Sequence, residues 1–273
     1  MTLFRNATQS GFTLIEAVMV IVITGILAVL ATSFTAPLRG YFDAIARAEL
    51  SDTADTALRR MARELHAALP NSVRVNGSYI EFLPTTTGGR YRANSVGGTA
   101  SCGAGGDDLL FSVPDTCFEV IGTLPAAPVV GEELVVYNTA PAYTGGNVAA
   151  IAANSTTSKI LFTSHTFSAD FESPSYRFQI ISGPVTFACV GNTLWRYSGY
   201  ARQVAQPTDI TNAPLNVATN IARLAIGVNC ANSSFAYNVG ITQRADLVVM
   251  NLTLSNNSDS VTLLHQVHVQ NVP

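Results

Sequence analysis

Hydrophobic and polar positions divide the chain into stretches with different periods. From Ala17 to Leu38 the chain runs 22 residues without a charged side chain. At ~1.5 Å per residue a helix of that length spans ~33 Å, enough to cross a hydrocarbon core of ~30 Å. From Arg39 to Leu69 the apolar residues recur at three- and four-residue steps: Phe42, Ile45, Ala46, Leu50, Ala54, Ala57, Leu58, Met61, Leu65, Ala68 and Leu69. That spacing gathers them on one stripe of a helix. Five arginines and five acidic residues take the other faces, with Asp55 and Arg59 at i,i+4. Pro70 and Asn71 stop the helix. Together the two stretches predict one helix from Phe12 to Leu69, ~87 Å long if continuous.

Beyond Pro70 the period changes to two. Val73–Val75 and Tyr79–Leu83 flank Asn76-Gly77-Ser78, a hairpin signal. Glu133–Tyr137, Ile160–Phe162, Phe178–Ile181, Val185–Val190 and Thr193–Tyr197 read as further short strands, with Gly191-Asn192 turning the chain between the last two. Val248, Met250, Leu252 and Leu254 alternate with Val249, Asn251 and Thr253; Asn256–Asp259 then turn the chain into a closing strand, Ser260–Val269. The segments Thr85–Gly106 and Ala140–Ser158, rich in Gly, Ser, Thr, Asn and Ala, read as surface loops. Strands follow strands without alternating helices, so the fold class is α+β: a long helix and an antiparallel head forming one domain.

Composition narrows the function. Charged residues are 12% of the chain, about half the ~25% of an average soluble protein, and one lysine stands against fourteen arginines. A net charge of −3 with no basic run argues against nucleic-acid binding, which needs clustered cations for phosphates. No nucleophile elbow, phosphate loop, dinucleotide fingerprint or zinc-protease motif occurs, so no enzyme and no cofactor are expected. His66, His165, His265 and His268 are scattered, and His265 shares the more apolar face of the last strand with Val261, Leu263 and Val267. Asp107-Asp108, in a Gly-rich stretch, falls far short of a calcium-loop spacing and reads as a solvated loop. Trp195, Tyr197 and Tyr200 with Arg196 and Arg202 form the one aromatic-basic cluster, read as core and rim of the head sheet in preference to a binding surface.

On its residues alone the uncharged 22-mer fits an ordinary secretory signal, a plain membrane anchor, or a segment processed just ahead of the apolar run. Arg5 supplies a basic start and Ala31-Thr32-Ser33 a loose cleavage site. The run is too long for a signal core, however, and Glu16 sits in its first turn. A charged carboxylate in a membrane helix costs ~2.5–3.5 kcal/mol, so its presence calls for a partner.

Gly11-Phe12-Thr13-Leu14-Ile15-Glu16 resembles the class III signal of type IV pilins and type II secretion pseudopilins. The resemblance implies a pilin fold in four parts: a leader 1–11, a transmembrane and assembly half of the helix 12–38, an amphipathic half 39–69, and a β-rich head 70–273. It implies cleavage between Gly11 and Phe12 by a prepilin peptidase that also N-methylates Phe12. It gives Glu16 the task of pairing with the new amine of a neighbouring subunit, and it places a flexible glycine and a kinking proline at Gly25 and Pro37. The implied partners are that peptidase/methyltransferase, other major and minor pilins, and an inner-membrane assembly platform. The implied location is single-pass in a bacterial inner membrane, with the head in the periplasm and, after assembly, in the extracellular pilus.

Residues 57–65, 68–75 and 261–269 further resemble the O-type (MshO-type) minor pilins of mannose-sensitive haemagglutinin (MSHA) pilus biogenesis, with J-type type II secretion pseudopilins second. Subunits of this kind initiate or tip a filament. The alternative is a pilus-borne binding head, an adhesin or surface receptor, on a pilin chassis. Cys102, Cys117, Cys189 and Cys230 all lie in the head, and an exported domain makes disulfides the expectation over metal. Of three possible connectivities, proximity favours Cys102–Cys117, worth ~3 kcal/mol, with Cys189–Cys230.

Overall fold

A computed structural model describes residues 11–94, 106–139, 142–238, 246–256 and 259–270. The chain divides into two compact units, Met1–Glu49 and Leu50–Pro273. One helix, α1 (Leu14–His66), runs without interruption through Gly25 and Pro37. In the second unit its stripe Ala54, Ala57, Leu58, Met61 and Leu65 is almost wholly buried. The helix ends three residues earlier than its apolar pattern. The Leu69 N–H bonds the Leu83 carbonyl at 2.7 Å, and the Ala67 carbonyl accepts from Thr85 at 2.7 Å, so sheet pairing captures these groups before the helix does.

The strands are β1 (Arg74–Asn76), β2 (Tyr79–Phe82), β3 (Thr85–Tyr91), β4 (Asp115–Ile121), β5 (Glu133–Val136), β6 (Val148–Ala150) and β7 (Lys159–His165). They continue as β8 (Arg177–Ile181), β9 (Val185–Val190), β10 (Thr193–Ser198), β11 (Asn220–Ile226), β12 (Ser234–Asn238), β13 (Asp246–Ser255) and β14 (Ser260–Val269). Every strand pair is antiparallel, which is the α+β architecture expected from the sequence. The sheets have the orders β1-β2-β9-β10-β11, β12-β13-β14 and β6-β5-β8-β3-β4-β7. Gly191 and Asn192, both at positive φ, make the tight turn between β9 and β10 that a right-handed twist favours.

The α1 stripe packs into one core with Ile80, Phe82 and Phe187 of the five-stranded sheet and Val248, Met250 and Leu252 of the three-stranded sheet. Cys189 on β9 and Cys230, between β11 and β12, are joined by a disulfide that ties these two sheets together. The six-stranded sheet has a separate aromatic core around Tyr91, Phe118, Phe162, Phe167 and Phe178.

The segments expected to be loops are partly strands. Thr85–Tyr91 is an interior strand of the six-stranded sheet, and Val148–Ala150 is its edge. The glycines that suggested a loop serve close packing instead. A Cβ at Gly88 would stand 3.0 Å from the Phe178 carbonyl oxygen, and one at Gly89 would stand 3.0 Å from Leu124 Cδ2. Strands β4, β11 and β12 carry no clear alternation in the sequence and become strands through their partners. Asn76 pairs with Tyr79, so it belongs to β1, and the turn is two residues rather than three.

The Cys189–Cys230 bond closes a separation of 41 residues, for which the loop-closure relation gives about 4 kcal/mol. Replacing both cysteines by alanine is therefore expected to lower unfolding free energy by about that amount in urea denaturation of the full chain. Unchanged stability would mean that the shared core alone holds the two sheets.

Candidate functional site

The first turn of α1 is built by its own sequence. Thr13 precedes the helix, and the Glu16 N–H bonds both its carbonyl, at 3.1 Å, and its hydroxyl, at 3.4 Å. Thr13-Leu14-Ile15-Glu16 thus has the spacing of a capping box, with a carboxylate near the positive end of the helix dipole. Gly11 and Phe12 lie ahead of the helix and outside its hydrogen-bond ladder, both exposed. Among the described residues, a Cβ at Gly11 would meet nothing within 4 Å, so none of them demands glycine there by packing.

From Leu14 to Ala31 the helix is long and apolar enough to cross a membrane, and none of it is buried within the chain. Phe12 is 79% exposed and Leu14 84% exposed. The Thr24 hydroxyl folds back onto the Val20 carbonyl at 2.6 Å, which satisfies a polar group internally in a segment with few others. An apolar surface of this extent needs lipid or other apolar helices to cover it.

In the head, strand alternation separates the aromatic-basic cluster. Tyr197 is buried with Tyr200 and Leu215, with Trp195 packed at the margin, while Arg196 points the other way to Glu64 on α1 at 2.8 Å. These residues are core and rim. A groove of about 590 Å³ runs along this ion pair, lined by Arg63, Gly183, Ser198 and Asn220 among others. The histidines are not brought together: His66 ends α1, His165 stacks edge-on against Phe167, and His265 pairs across to Met250 while His268 is exposed. Among the described residues no group of three His, Cys, Asp or Glu side chains is placed to hold a metal. Asp107 is not the solvated loop residue expected; it is 3% exposed, with its carboxylate 3.5 Å from Cys117 Sγ. Cys117 is disulfide-bonded, and Cys102 lies outside the described residues.

A buried polar cluster was not anticipated. Arg74 pairs with the fully buried Glu81 at 2.6 Å and lies 3.6 Å over the Tyr143 ring. The Tyr200 hydroxyl donates to Glu81 at 3.1 Å, and Tyr143 donates to the Ser72 carbonyl at 2.9 Å. Arg202 adds a two-pronged contact to Glu133 at 2.9 and 3.2 Å. Arg74 and Glu81 face each other across the β1–β2 hairpin, so opposite charges either side of the turn were the available signal. The tyrosines come from distant segments and left none.

Burial raises the Glu81 carboxyl above its ordinary range, against the pull of Arg74 and Tyr200. Burial raises Asp115 likewise, against the backbone N–H groups it accepts from. A raised folded value favours the protonated acid, so this contribution is full below the ordinary carboxyl range and is lost as pH rises through the folded value. Stability of the full chain in detergent is expected to lose this contribution as pH rises from the ordinary carboxyl range, about pH 4, through the raised folded values. Glu81→Gln should flatten the slope while leaving the share of Asp115. An identical slope in the variant would exclude Glu81 as its source.

Residues 6–32 match the family model of the prokaryotic N-terminal methylation motif, a stretch that contains Gly11, Phe12 and Glu16 and enters the apolar part of α1. No curated protein and no solved structure matches the chain. The motif supports a type IV pilin-like protein, a structural subunit of a type IV pilus or pseudopilus that is processed by a prepilin peptidase and anchored in a membrane.

Proposed function

We propose that the chain is a minor pilin-like subunit, cut between Gly11 and Phe12, N-methylated at Phe12 and inserted at the start or tip of a filament. The observation that carries this reading is the methylation motif seated on a capped helix start whose following apolar surface is wholly uncovered. Before assembly, lipid covers residues 12–38; in the filament, neighbouring helices do. Glu16 then meets the cationic amine of an adjacent subunit, and a partly buried pair of this kind sets axial register. The head, residues 70–273, stands in the periplasm until it is carried out. The amphipathic part, 39–69, joins the anchor to the head.

Size supports a low-copy position. Removal of residues 1–11 leaves 262, of which 204 are head, and a head this bulky is harder to repeat at every step of a narrow filament. The resemblance of residues 57–65, 68–75 and 261–269 supports the O-type minor pilins of MSHA biogenesis in particular.

Mass spectrometry of the mature N-terminus tests the processing: N-methyl-Phe at position 12 is expected, whereas a start near Ser33 or an intact Met1 refutes it. Glu16→Ala should leave processing intact and abolish incorporation into filaments, read by immunoblot of sheared pili. Filaments that form normally but no longer attach to surfaces would assign the head a binding role instead.

A further inference from the structure

Among the described residues, five of the six outer strands of the three sheets carry a feature that discourages further pairing, and β14 does not. Strands β1 and β6 are three residues long. The pairing of β7 with β4 and of β11 with β10 is broken by register shifts, and these strands carry Lys159 and Arg223. Strand β12 is short and lies beside β1. Strand β14 is ten residues long, pairs with β13 at every position without a shift, and contains no Asp, Glu, Lys, Arg or Pro. Short length, charge and bulges are the means by which edges are kept from pairing.

The hydrogen-bond parity shows which groups are free. Ser255 and Thr253 are engaged on the far side of β13, with Gly227 and Asn229, while Asn256 bonds Asp259 across the turn. Even-numbered β13 residues therefore bond β14 through its odd-numbered residues. Ser260, Thr262, Leu264, Gln266 and His268 are left with N–H and C=O groups directed outward, and their side chains lie on the exposed face. Leu264 is 62% exposed.

We propose that this edge pairs antiparallel with β14 of a second copy of the chain, about a twofold axis at Leu264. In that register Leu264 faces Leu264 of the second copy, Thr262 faces Gln266, and Ser260 faces His268. All five outward residues are used, whereas any shifted register leaves at least one idle. The strand is self-complementary because no pair sets like charges together and the one large exposed apolar residue meets itself. An isologous edge of this kind joins two three-stranded sheets into a continuous sheet of six. This inference does not depend on N-terminal processing.

Sedimentation of the full-length protein in detergent tests it. The native chain should be dimeric, and Leu264→Lys, which places two cations face to face on an already exposed site, should give monomers with an unchanged far-UV spectrum. Ile226→Lys on β11 should leave the dimer intact. With a short thiol cross-linker, Leu264→Cys should link to itself, while Thr262→Cys should link only when mixed with Gln266→Cys. A monomeric native protein, a dimer indifferent to Leu264→Lys (as association through the apolar helix would be), or linking of Thr262→Cys to itself would each overturn the proposal.

Discussion

Burial of one helical stripe organises the larger part of the head. Ala54, Ala57, Leu58, Met61 and Leu65 recur at helical spacing, and two separate sheets close over them. The small residues at 54 and 57 let the sheets approach the helix, and the larger ones fill the space between. Among the described residues, the five-stranded sheet has on its other face only the smaller cluster of Ala188, Tyr197, Tyr200 and Leu215. A polar residue at Met61 or Leu65 would therefore disturb both sheets together rather than one contact. The disulfide between Cys189 and Cys230 crosses the same junction and limits how far the two sheets separate when the chain opens.

At the other end of the helix the balance is reversed. Leu14 to Ala31 is as apolar as a core helix yet has no core. Its free energy is therefore set by what surrounds it, whether lipid or other helices, and this is the property a subunit needs if it is to leave a membrane for a filament. The Thr13 hydroxyl and carbonyl accept the Glu16 N–H at the entrance. The Glu16 carboxylate has a local use near the positive end of the helix dipole and, on the proposed function, a second use between subunits. The two are compatible, because a carboxylate near a helix start keeps lone pairs free for a cation.

The head departs from a simple helix-on-sheet plan. A second aromatic core sits within the six-stranded sheet, and the Arg74–Glu81–Tyr200 cluster with Arg202 and Glu133 links β1, β2 and β5 with the segment after β10. A buried ion pair of this kind is weak evidence of added stability, since desolvation offsets much of the attraction. Its value lies in direction: the guanidinium of Arg74 fits only where Glu81 and Tyr143 already stand.

What sequence alone determined was whatever depends on local periodicity. The uncharged run, the stripe from Leu50 to Leu65, the Gly-Asn turn and the alternating β13–β14 hairpin were legible because helix and strand periods are written residue by residue. The methylation motif was legible for the same reason, being contiguous. The interior strand Thr85–Tyr91 was not, since its glycines look like a loop until Phe178 and Leu124 are seen pressing on them. Nor was the polar cluster, whose members lie up to 128 residues apart between Arg74 and Arg202. Tertiary structure alone decided which edges were closed and which stayed open, because an edge is defined by neighbours the chain brings together only on folding.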